Sequence, residues 1–170
     1  MSRKINKNGF TLVEIIISLL LIGIVAALVG MSGVYLVNSY FFASVNNETM
    51  QKGQIAITKI QKELNNVKTV SLAAATATSI TFTSYKDAVA VNHTLSWAGA
   101  GNNLLFDGFT LTDKVSNFSL AYYDNYNVSA TAFSANTRII EVNIVITGYE
   151  TTPAEFKARV APSFNILTGT

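Results

Sequence analysis

The 170-residue chain has no cysteine. No disulfide framework and no thiolate metal site can be built from it. Its fold must be held by packing and hydrogen bonds alone. It has one histidine, His93, and shows no serine elbow, no phosphate loop and no clustered His/Glu pattern. The common signatures of hydrolases, nucleotide-binding enzymes and zinc enzymes are therefore missing. Proline occurs twice, as Pro153 and Pro162, so none interrupts residues 10–68. Charge is also scarce, at 13% of residues, and Ile15 to Asn47 holds no charged side chain at all.

The formal charge of +2 arises from one place. Residues 1–9 hold Arg3, Lys4 and Lys7 and no acid, and removing those three leaves −1 for the remainder. Such a cluster reads as a topology signal, because positive flanks stay cytoplasmic. No basic patch appears elsewhere, so direct nucleic-acid binding is not expected. The run Ile15–Val37 is apolar except for Ser18, Ser32, Tyr35 and three glycines. Its 23 residues make about 35 Å of helix, enough to cross a bilayer core of about 30 Å with some tilt. A secretory signal has a shorter apolar core and a small-residue cleavage site after it. Here the run is longer, an acid sits at its entrance as Glu14, and the helical pattern continues beyond it.

The string Gly9-Phe10-Thr11-Leu12-Val13-Glu14 follows a short basic leader and precedes the apolar run. It resembles the class III signal of bacterial type IV prepilins and pseudopilins. The resemblance implies cleavage between Gly9 and Phe10 by a membrane prepilin peptidase, and N-methylation of Phe10. It also implies that Glu14 meets the amino terminus of a neighbouring subunit during assembly. The residues fit that chemistry. Gly9 has no Cβ, so extended backbone can lie close to a protease. A cut ahead of the apolar run keeps the anchor. An acid at mid-bilayer costs about 2.5–3.5 kcal/mol, less near the interface, so its retention points to a function and a partner.

Beyond the run, Met50, Gly53, Ile57, Ile60, Leu64 and Val67 fall at alternating spacings of three and four, the stripe of an amphipathic helix. Glu48–Lys52 and Lys59–Glu63 are i,i+4 pairs of opposite sign. One helix over residues 10–68 would reach roughly 88 Å. The stripe suits packing on a sheet; an intermolecular coiled coil is the competing reading. Gly23, Ala26, Ala27, Gly30 and Gly33 suit close helix approach, or are simply small residues of a membrane helix. Many major pilins carry a helix-loosening proline where this chain has Met31.

Residues 71–170 read as strands. Ser79–Tyr85 alternates, and Val89, Val91, His93, Leu95 and Trp97 share one face. Asp107-Gly108 is a hairpin signal between Leu104–Phe106 and Phe109–Thr112. Phe118, Leu120 and Tyr122 alternate, as do Ile140, Val142, Ile144 and Ile146; Phe156–Val160 forms a last strand. The tail from Ser163 has no pattern. The order Thr94-Leu-Ser96, Val115–Asp124 and Arg138–Val142 resembles the minor-pilin and pseudopilin branch of the PilW and GspJ types. His93 falls on the apolar face, where a packed, hydrogen-bonded histidine is expected rather than a catalytic one. The stretch Tyr122–Asn127 offers oxygen ligands without the spacing of a calcium loop. The long segment 124–137 carries Tyr126 and Phe133, which with Tyr123 either contact another subunit or close the core.

The expected fold is α+β, of the type IV pilin kind: a long N-terminal helix with a protruding hydrophobic half, packed on a C-terminal antiparallel sheet. The expected organisation is a leader at 1–9, a transmembrane or filament-core half-helix at 10–37, an amphipathic half-helix at 38–70, and a β domain at 71–170. The resemblance implies a non-enzymatic filament subunit without cofactor or metal. Its partners would be the peptidase, other pilin or pseudopilin subunits, an inner-membrane assembly platform and the bilayer. It would be held single-pass in the bacterial cytoplasmic membrane, N-terminus inside, and then extracted into a surface or periplasm-spanning filament. Within that class the reading is a minor pilin or pseudopilin that primes or tips assembly in a pilus, type II secretion or DNA-uptake machine. A major pilin is the alternative, and a membrane-anchored envelope enzyme or ligand-binding domain is a third reading.

Overall fold

The apolar run and the amphipathic stretch after it form one helix, α1, Leu12–Asn65. The computed structural model describes residues 9–70, 74–86, 89–126, 128, 132–162 and 167–168. The basic residues Arg3, Lys4 and Lys7, Asn127 and most of the tail lie outside them. Two units are distinguished, Met1–Ala43 and Ser44–Thr170.

In the first unit the side chains from Leu12 to Phe42 are exposed without exception. This segment is long and apolar enough to cross a membrane. Its two serines are satisfied within the helix. Ser18 Oγ donates to the Glu14 carbonyl at 2.8 Å and Ser32 Oγ to the Leu28 carbonyl at 2.9 Å. Neither hydroxyl therefore needs water, which is what a lipid-facing helix requires.

In the second unit α1 buries Thr49, Gly53, Ala56, Ile57, Ile60 and Leu64. The expected stripe is thus present, with two departures. Met50 is exposed, and its place on the covered face goes to Thr49. Val67 has left the helix: α1 ends at Asn65 and strand β1, Val67–Val70, begins after Asn66. The physical reason is local. Two asparagines favour turn over helix, and Val67, Thr69 and Val70 are β-branched.

The remaining strands are β2 Ser79–Lys86, β3 Val89–Trp97, β4 Leu104–Phe106, β5 Phe109–Thr112, β6 Val115–Tyr123, β7 Ile139–Thr147, β8 Pro153–Val160 and β9 Leu167–Thr168. They make two sheets, not one. A six-stranded sheet runs β5-β4-β3-β2-β1-β9, and a three-stranded sheet runs β6-β7-β8. The break falls at Asp113-Lys114, where Lys114 takes φ +55° and turns the chain out of the first sheet. All pairings are antiparallel except β1 with β9, which is parallel. The Asp107-Gly108 hairpin forms as expected, with φ +54° and +80°, the double left-handed conformation of a tight β-hairpin turn. β3 departs from clean alternation: Val89 is exposed and only Leu95 is fully buried.

One core joins these parts. Ile57, Ile60 and Leu64 of α1 meet Ile80, Phe82 and Leu95 of one sheet and Phe118, Ile140 and Ile144 of the other. At Gly53 the helix lies close against β8, where an added Cβ would overlap the Phe156 ring. Phe133 packs edge-on against Tyr122 with ring centroids 5.3 Å apart, so this aromatic of the 124–137 segment closes the core. Tyr126 remains exposed. The Tyr122 hydroxyl donates to the Thr76 carbonyl at 2.7 Å, and burial raises its pKa.

On the outer face of the small sheet, Glu141 is nearly covered by its two neighbours from β8. Lys157 Nζ lies 2.8 Å from one carboxylate oxygen, and Arg159 Nε donates to the other. Burial pushes the Glu141 carboxyl up, but the two cations outweigh it and hold it below the ordinary range. A depressed folded-state pKa gives stability that is present above the unfolded value, about 4.3, and is lost as pH falls below it. Glu141→Gln should cost about 1–2 kcal/mol at pH 7, discounted for the half-exposed cations. It should also flatten the loss of thermal stability between pH 5 and 3. Unfolding midpoints of the two chains across that range check both.

Candidate processing and assembly site

The segment ahead of the helix has simple geometry. Gly9, Phe10 and Thr11 lie outside regular structure and are exposed, with Phe10 at 79%. A Cβ added to Gly9 would meet nothing within 4 Å. Packing among the described residues therefore does not demand glycine here.

Helix α1 then opens on a reciprocal cap. The Glu14 backbone N–H donates to Thr11 Oγ1 at 3.3 Å, and the Thr11 backbone N–H donates to Glu14 Oε2 at 3.3 Å. The Thr11 hydroxyl lies 3.4 Å from the same carboxylate oxygen. The Thr11 carbonyl accepts from the backbone N–H groups of Glu14 and Ile15 at 3.1 and 3.3 Å. This is a capping box: threonine at the cap and glutamate three positions on satisfy two donors that helix formation leaves unpaired. It also places a carboxylate at the positive end of the macrodipole. Thr11 was not singled out from sequence, although the Thr-x-x-Glu spacing ahead of an apolar run carries the signal.

Glu14 thus has a partner inside its own chain. The cap holds its carboxylate at the head of the helix, three residues from Thr11 and four from Phe10. Gly9 and Phe10 stand beside this cap as neighbours in sequence, and the hydrogen bonds join Thr11 and Glu14 only. No tertiary contact is needed to assemble the site.

Residues 4–30 match the family described as the prokaryotic N-terminal methylation motif. The match contains Gly9, Phe10, Glu14 and the first part of the apolar run. It supports a structural subunit of the type IV pilin class. No similar curated protein and no similar solved structure was found.

Proposed function

We propose that the chain is a prepilin. A prepilin peptidase cleaves between Gly9 and Phe10 and methylates the new amine of Phe10. The processed chain is held in the cytoplasmic membrane by residues 10–37, with the basic leader inside, and is then extracted into a helical filament of pilin-like subunits. The observation that carries this reading is an acid at the head of a fully exposed apolar helix segment, inside a matched methylation motif.

Each part has a physical reason. Among the described residues nothing crowds Gly9, so a need for glycine there would come from a partner outside the chain. A protease that needs close backbone approach supplies such a requirement. Cleavage makes an amine four residues from a carboxylate. Between two subunits packed side by side in low dielectric, such a pair gains much when both members are present and loses much when one is missing. The cap keeps Glu14 hydrogen-bonded until that partner arrives.

Within the class we favour a minor pilin or pseudopilin that primes or tips the filament. Met31, in place of the helix-loosening proline of many major pilins, supports this, as does the sequence order of Thr94-Leu-Ser96, Val115–Asp124 and Arg138–Val142. Mass spectrometry of the chain isolated from sheared filaments tests processing. The expected N-terminus is methylated Phe10; a chain retaining Met1, or starting beyond Val37, overturns the proposal. Copy number in the same preparation tests the subtype, since a minor subunit is sub-stoichiometric and a major one dominates.

A further inference from the structure

The chain's single histidine sits between two acids from different elements. His93 Nδ1 lies 2.7 Å from Asp107 Oδ2, and His93 Nε2 lies 4.0 Å from Glu63 Oε2. Asp107 belongs to the β4–β5 turn and Glu63 to α1. The imidazole side chain is only 15% exposed. It is flanked by Phe106 and Phe82, with ring centroids 5.2 and 5.7 Å away. The other Asp107 oxygen accepts from the Thr94 backbone N–H at 2.7 Å, which fixes the carboxylate in place.

We propose that His93 is a proton-operated clamp that ties the β4–β5 hairpin to helix α1. A carboxylate accepts but does not donate, so the Asp107 contact puts a proton on Nδ1. In neutral His93, Nε2 is then a bare lone pair facing a second acceptor, Glu63. Among the described residues no hydrogen-bond donor reaches that nitrogen. Protonation gives Nε2 an N–H directed at Glu63, and one cation then bridges two anions on two elements. Among the described residues, the charged groups found paired with the ring are Glu63 from α1 and Asp107 from the turn. Lys59 of α1 lies over the Phe106 ring at 4.6 Å and opposes protonation, but it is one cation against two carboxylates. From β2 the facing residue is the uncharged Phe82. The clamp does not depend on polymerisation.

Hydrogen exchange of the full chain in detergent micelles tests the clamp. Amide protection factors over residues 104–112 should rise about two- to fivefold from pH 7.5 to pH 5.5, the effect of one partly exposed ion pair. His93→Gln and Glu63→Gln should each abolish that rise. An equal rise in the variants, or none in the parent chain, overturns the proposal. Should His93→Gln fail to fold, Glu63→Gln decides, because it leaves the Asp107 contact in place.

Discussion

Glu14→Val is expected to leave the chain in the membrane and remove it from filaments. Valine extends the apolar run, so anchoring does not suffer. What is lost is the anion that would face the amine of a neighbouring Phe10. Removing one member of a desolvated pair costs about 3–5 kcal/mol. Each 1.4 kcal/mol is a factor of ten, so incorporation should fall by about a hundredfold or more. Quantifying the chain in membrane and sheared-filament fractions measures this. Two further variants separate the acid's two contacts. Glu14→Gln keeps a capping-box side chain but no charge, because glutamine serves at that position as well. Thr11→Val keeps the charge and loses the cap, at about 1 kcal/mol of helix stability. If assembly rests on charge, Glu14→Gln behaves like Glu14→Val and Thr11→Val incorporates far better. The reverse order would reduce Glu14 to a helix cap, and normal incorporation of Glu14→Val would remove its assembly role altogether.

Gly53→Val is expected to disrupt the β domain. An ordinary helix interior favours almost any residue over glycine, and Gly→Ala alone gains about 1 kcal/mol there. At Gly53 the opposite sign is expected, because the new Cβ would enter the Phe156 ring. Overpacking costs about 1–3 kcal/mol, and a branched side chain adds to it. The helix gain cannot offset that. Gly30→Ala is the control: a Cβ there meets nothing within 4 Å, so the fold should be unaffected. Phe156→Ala should partly rescue Gly53→Val by vacating the space. Near-ultraviolet circular dichroism and limited proteolysis in micelles read the outcome. A Gly53→Val chain as protease-resistant as the parent would contradict the packing described here.

These two sites differ in how far sequence could reveal them. The string from Gly9 to Glu14 acts through neighbours three and four positions apart, so its meaning is local and readable. Even so, the Thr11 cap went unrecognised behind the stronger signal of the acid itself. Gly53 could be placed on the covered stripe of α1 by spacing. The reason it must be glycine is Phe156, more than a hundred positions away, which no local pattern announces. The same limit explains the strands. β7 stands out because its four inward residues, Ile140, Val142, Ile144 and Ile146, alternate without a break. β1 was hidden because Val67 suits a helical stripe as well as a strand. β9 is a two-residue strand whose existence depends on β1 being beside it. The split into two sheets falls beside Lys114, whose left-handed conformation its side chain does not advertise.

The borders of the two sheets carry a final consequence. β5 has four residues, too few to template another chain. β6 is partly capped, since its Leu120 N–H donates to the Ala77 carbonyl at 2.7 Å. β8 begins with Pro153 and carries Glu155, Lys157 and Arg159 along its length. Proline and charge on a border strand are what keep β-proteins from zipping together edge to edge. Edge-to-edge growth is therefore opposed at β5, β6 and β8, and a fibre built from this chain is expected to be joined through its helices. Its diffraction would lack the 4.7–4.8 Å meridional repeat of cross-β matter, and it would not light up amyloid dyes.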